Sequence, residues 1–107
     1  MARIVLTHGA VTKLGDIETY YITRDQNSAD RVLSAIFAAL ARIAQRPLSG
    51  RPQLAFEYLG MPELREVVIP FGSSGFVALY RIDRENDAVV ILALRHQREE
   101  KFGIVDI

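Results

Sequence analysis

Cysteine is absent from the 107-residue chain, so neither a disulfide framework nor a thiolate-held metal is open to it. Histidine is scarce. His8 and His96 stand far apart, with no carboxylates beside them at metal-ligand spacing, so no metal and no cofactor is expected. No apolar run approaches the roughly 18 residues that a membrane span needs. The N-terminus enters a strand-like segment without a signal-peptide pattern, and the expected location is the cytoplasm. An excess of one charge is missing too: the formal net charge is zero, which argues against attachment to nucleic acid by bulk charge alone. Lysine is rare, with only Lys13 and Lys101 among 13 basic residues. The remainder are arginines, whose planar guanidinium suits bidentate contacts with phosphates or carboxylates.

What the chain does hold is an ordinary globular balance, half hydrophobic and about a quarter charged. Its length allows one domain with one core, residues 1–107, and no linker or internal repeat interrupts it. Ala2 to Thr7 reads as a first strand, broken by His8-Gly9-Ala10. From Val11 the apolar residues Leu14, Ile17, Tyr20 and Tyr21 recur at helical spacing, ending near Arg24. Asp25-Gln26-Asn27 is a turn, and Ser28 is the expected N-cap of a second helix. Val32, Leu33, Ile36, Phe37, Leu40, Ile43 and Ala44 form its apolar stripe, with Phe37 expected in the buried middle. The short linker predicts an antiparallel helical hairpin. Pro47 ends the second helix, and Leu48 to Glu57 reads as a loop.

The last third carries three apolar runs, Val67 to Ile69, Phe76 to Ile82 and Ala88 to Leu94, separated by turn-forming residues. The loops between them are expected at Pro70 to Gly75 and at Asp83 to Asp87. The third run is unbroken apolar and predicts an interior strand. The order is β-α-α-β-β-β, an α+β fold with a helical hairpin packed on a curved, mostly antiparallel sheet.

Alternation puts Phe76, Ala78, Tyr80 and Ile82 on one face of the middle strand and Val77, Leu79 and Arg81 on the other. If the helices cover the Tyr80 face, Arg81 points to the open face. Arg65 and the cluster Arg95, His96 and Arg98 are expected to converge there, as a site for a phosphate-bearing or acidic partner. Simpler readings stand beside this one. Arg81 and Arg84 also read as solvated hairpin charges, Glu99-Glu100-Lys101 as an exposed surface run, His8 as structural, and Tyr20-Tyr21 as core packing.

Several pieces in this order resemble the RelE/ParE superfamily of bacterial toxins from type II toxin–antitoxin systems. They are the first strand ending near Thr7, Asp16 to Ile22, Ala29-Asp30-Arg31-Val32, Gly50-Arg51-Pro52, Leu64-Arg65, Leu79-Tyr80-Arg81-Ile82, and Leu94 to Glu99. The resemblance implies the toxin of a plasmid-stabilisation or stress module. Its partner would be an antitoxin of the ribbon-helix-helix or a similar DNA-binding type, often with a helix in the groove beside the hairpin. RelE-like members cut messenger RNA on the ribosome, whereas ParE-like members poison DNA gyrase without established catalytic residues. Gly60-Met61-Pro62 and Ser73-Ser74-Gly75-Phe76 resemble RelE itself. Its basic positions, however, correspond here to Glu66, Val68 and Val77, and Phe102 stands where a tyrosine is usual; only Arg98 matches a catalytic arginine. The resemblance therefore leans to ParE, with DNA gyrase as the expected target and Arg65, Arg81, Arg95, His96 and Arg98 as the target-binding set. The alternative is a metal-independent ribonuclease acting on ribosome-bound message through Arg65, Arg81, His96 and Arg98.

Overall fold

The computed structural model describes residues 1–53 and 64–103. Strand β1 (Arg3–Leu6) leads into helix α1 (His8–Ile22) and helix α2 (Gln26–Gln45). A 3-10 turn (Pro47–Ser49) and the two-residue strand β2 (Arg51–Pro52) follow. The long strands are β3 (Leu64–Phe71), β4 (Ser74–Asp83) and β5 (Ala88–His96). The sheet order is β1-β5-β4-β3-β2. β1 runs parallel to β5 and every other pair is antiparallel. The α+β fold read from the sequence is the observed one, with β2 added as a short edge inside the expected loop.

Local chemistry moves several boundaries. α1 begins at His8, three residues before the expected start, because the Thr7 hydroxyl accepts the Ala10 N–H at 3.2 Å and caps the helix. His8-Gly9-Ala10 is thus the first helical turn rather than a break. α2 is capped by Asp25, not Ser28: the Asp25 carboxylate accepts the Asn27 N–H at 3.1 Å. The β3–β4 loop contracts to Gly72-Ser73, with Phe71 already paired to Ser74. Gly72 has a φ of 61°, the left-handed region where glycine carries no steric cost.

One face of the sheet packs under the hairpin. Leu14, Ile17, Val32, Ile36, Leu40 and Ile43 meet Ile69, Phe76, Ala78, Tyr80, Val89, Ile91 and Leu94 there. Phe37 does not join them and stays 48% exposed. Successive helical residues point about 100° apart; Ile36 takes the centre of the buried stripe at 0% exposure, and Phe37 turns off its edge. The opposite face has its own buried cluster of Leu64, Leu79, Val90, Leu92 and Ala93, with Phe102 packed against it.

A bulge in β5 sets what each face carries. Leu79 pairs with Ala93 but Tyr80 pairs with Ile91, leaving Leu92 as an extra residue. The Leu92 carbonyl accepts the Thr7 hydroxyl at 3.1 Å, so one threonine ties β1, the α1 cap and the bulge together. Beyond the bulge the alternation is inverted, and Leu94 and His96 fall on the helix side while Arg95 falls on the other. No helix among the described residues is long and apolar enough to cross a membrane.

Candidate functional site

The five expected site residues do not converge on one face. Arg65 pairs with Tyr80 across β3 and β4 and therefore lies on the helix side. Its guanidinium donates to the Gly50 carbonyl at 2.8 Å and the Leu48 carbonyl at 3.2 Å, closing the chain after α2 onto the sheet. Arg81 is on the open face, as alternation predicted, with Asp83 Oδ2 at 3.9 Å. Asn86 donates to the Asp83 carboxylate through its backbone and side-chain N–H groups, which holds that carboxyl below its ordinary pKa. Arg95, His96 and Arg98 lie at the other end of β4. Five residues along the strand separate Phe76 from Arg81, roughly 16 Å.

The Arg65 end is closed. Tyr80 is fully buried; its hydroxyl donates to the Pro47 carbonyl at 2.6 Å and accepts the Gly50 N–H at 2.9 Å. Burial raises the Tyr80 phenol pKa above 10, because the phenolate would lose its hydration. A Cβ at Gly50 would overlap the Tyr80 ring and hydroxyl, so only glycine permits this approach. On the open face Glu66 is buried and ion-paired with Arg51 from β2. The sequence showed Glu66 only as a missing basic residue; its role is to close the edge strand.

The other end is open. A cleft of about 440 Å³ lies between α1 and the turn after β5. Its floor is Ile17, Tyr21 and Phe76, and its rim carries Lys13, Asp16, Tyr20, His96, Arg98 and Glu99. Tyr20 is not core but half-exposed on the lip, edge-on to Tyr21 and covered by the Arg24 guanidinium at 3.6 Å. The His96 ring stands edge-on to Phe76 at 5.4 Å. His96 Nδ1 accepts the Arg98 backbone N–H at 3.1 Å. A backbone N–H only donates, so the neutral ring carries its proton on Nε2. That N–H has only Ser74 Oγ, at 3.5 Å, too long to satisfy it.

The turn holding His96 and Arg98 is tied on every side. Glu99 Oε1 accepts the His96 N–H at 2.8 Å and Lys13 Nζ at 3.0 Å, and these two donors hold its carboxyl below the ordinary carboxylate pKa. Arg95 Nη1 donates to the Glu99 carbonyl at 2.7 Å, and its guanidinium lies 5.0 Å from the Phe102 ring centroid. The Gln97 N–H bonds back to the Gly75 carbonyl at 2.8 Å. Glu99, read from the sequence as part of a surface run, is the centre of this network. Its link to Lys13 crosses 86 residues, which no local pattern could reveal. Among the described residues no three His, Asp or Glu side chains gather as metal ligands do. Gly60-Met61-Pro62 lies outside the described residues.

The arrangement presents a largely buried apolar floor with both cationic donors and the carboxylates of Asp16 and Glu99 at its edge, a mixed polar rim around a small opening. Comparison with known proteins agrees with the fold. A family model for the ParE toxin of type II toxin-antitoxin system, parDE, matches residues 4–101. Toxin RelE3 of Caulobacter vibrioides is 29% identical over 101 residues, covering 94% of this chain and 100% of that toxin.

Proposed function

The chain belongs to the ParE toxin family of type II toxin–antitoxin systems, and from that premise we propose that it acts in the cytoplasm by binding DNA gyrase, not by cutting messenger RNA. A cognate antitoxin of the ribbon-helix-helix or a similar DNA-binding type neutralises it.

One observation carries the choice of target. The face of the sheet away from the helices is apolar where a RelE-type ribonuclease would need bases and acids. Val68 and Val77 pair with each other there, and Glu66 sits opposite Leu79 with its charge given to Arg51. Cleavage needs groups that activate the 2′-hydroxyl, stabilise the charged phosphorane and protonate the leaving oxygen. Among the described residues, the charged groups of that face include Arg81 beside Asp83, Arg95 bound to its own turn and Arg51 paired with Glu66. No histidine stands among them.

The second reading, a ribosome-dependent endonuclease, draws on the cleft, where His96 and Arg98 share a rim with Glu99. The RelE name of the Caulobacter vibrioides toxin points the same way. Purified toxin decides between them. The expected outcome is inhibition of gyrase supercoiling or trapping of its cleaved DNA complex, with message on translating ribosomes left whole. Site-specific cuts in ribosome-bound message, abolished by His96→Ala, would overturn the gyrase reading and establish the second.

A further inference from the structure

We propose that strand β1 is a pairing edge for a second copy of this chain: two copies join β1 to β1, antiparallel, about a twofold axis at Val5, and the sheet continues from one molecule into the other. This pairing is independent of which target the toxin has.

The two edges of the sheet are finished differently. β2 closes one edge with two residues, and its Pro52 has no N–H to offer a further strand. β1 forms the other edge, and neither proline nor bulge interrupts Arg3–Leu6. Its Arg3, Val5 and Thr7 face β5 with their backbone groups. The Arg3 N–H donates to the Asp87 carbonyl at 2.9 Å and the Thr7 N–H to the Ile91 carbonyl at 3.1 Å. The backbone groups of Ala2, Ile4 and Leu6 therefore point outward. Helix α2 takes the first of these, its Ala44 carbonyl accepting the Ala2 N–H at 2.9 Å. Those of Ile4 and Leu6 have no partner among the described residues.

That leaves one register for a second copy. Antiparallel strands exchange both hydrogen bonds only between residues whose backbone groups face each other. An axis at Val5 sets Ile4 against the partner's Leu6 and Leu6 against the partner's Ile4, so every open group is used. An axis at Ile4 would set Leu6 against the partner's Ala2, whose N–H is already held by α2. An axis at Leu6 would set Ile4 against the partner's His8, which is helical. The side chains agree with the register at Val5. Ile4 and Leu6 pack at the rim of the core on the helix side, and each gains an apolar neighbour. Val5, 36% exposed on the other face, meets its own copy at the close, non-hydrogen-bonded spacing. Arg3 falls opposite the partner's Thr7, so the joint opposes no like charges. An extended segment of another protein would have to bring this apolar order with it, whereas this chain already carries it. The overlap is confined to residues 3–7, so the dimer is weak and concentration-dependent.

The test is sedimentation velocity of purified toxin from low micromolar to submillimolar concentration, with thermal melts on the same preparations. The parent should pass from monomer to dimer across that range. Val5→Lys and Val5→Glu each set like charges on the axis and should stay monomeric, melting near the parent because Val5 belongs to neither core cluster. Mixed in equal amounts the two should dimerise again, since the axis then holds opposite charges. The chain has no cysteine of its own, so Val5→Cys should oxidise to a disulfide-linked dimer while Arg3→Cys, whose copies stand far apart in this register, should not. A parent that is monomeric at every concentration would overturn the proposal, as would dimerisation of Val5→Lys at the parent's level or equal cross-linking of the two cysteine variants. Protection of the Ile4 and Leu6 amides from hydrogen exchange only when antitoxin is added, with the toxin alone monomeric, would assign the edge to the antitoxin and overturn this occupant.

Discussion

The two ends of the sheet use similar residues to opposite effect. At one end Tyr80, Arg65 and Gly50 are locked together: the phenol is buried, the guanidinium is spent on carbonyls, and the glycine has no room for a methyl group. At the other end Tyr20, Arg98 and His96 stand around an open cleft with donors to spare. Residue type does not separate the two. What separates them is whether the backbone nearby has carbonyls left over. The 3-10 turn after α2 leaves the Pro47, Leu48 and Gly50 carbonyls to be satisfied, and Tyr80 and Arg65 are consumed in doing so. After β5 the turn satisfies its own carbonyls through Arg95, which frees Arg98.

That contrast can be broken at four points. The largest effect lies in the core that holds both ends. Ile36→Ala should cost about 2–5 kcal/mol, whereas Phe37→Ala, half-exposed beside it, should cost well under half as much; equal losses in chemical denaturation would show that the hairpin face is misassigned. At the closed end, Gly50→Ala forces a methyl group into the Tyr80 ring and should cost about 1–3 kcal/mol. Tyr80→Phe, which leaves the Gly50 N–H without its acceptor, should cost a similar or slightly smaller amount. If the double variant loses no less than the sum of the two, the hydroxyl and the glycine are not one unit.

The ends should also fail at opposite extremes of pH. The Tyr80 pKa is raised in the folded state, so its stabilisation is complete below about 10 and is lost as pH rises through the higher folded value. The Glu99 pKa is lowered, so its contacts hold above about 4.5 and are lost as pH falls through the lower folded value. Amide shifts of His96 and Gln97 should therefore move in acid while global unfolding remains the alkaline event. A Tyr80→Phe variant with the parent's alkaline transition would remove the phenol as its cause. The smallest expected change is at the open end, where Arg98→Ala should shift stability by no more than about 0.5 kcal/mol. A larger loss in its melt would mean that Arg98 is structural after all.

The sequence by itself determined the element order and most of the core, because apolar spacing is a local property that burial has to obey. The period-2 pattern of Phe76 to Arg81 placed Arg81 correctly, and the unbroken run after Asp87 gave the interior strand. The resemblance carried by Asp16 to Ile22 and Leu94 to Glu99 was legible too, and the family match over residues 4–101 agrees with it. Where the site lies was not legible, for three reasons. Arg65 faces the helices because its register places it against Tyr80, and register is set by a pairing distant in sequence. The Lys13–Glu99 bridge joins residues that only the packing of α1 on β5 brings within reach. The bulge at Leu92 decided the rest. One extra residue in an otherwise featureless apolar strand exchanges the faces of everything beyond it, turning His96 towards the cleft and Arg95 away. Which of two adjacent basic residues lines the cleft thus depended on a pairing defect that only the tertiary structure, through Thr7 and the neighbouring strand, could fix in place.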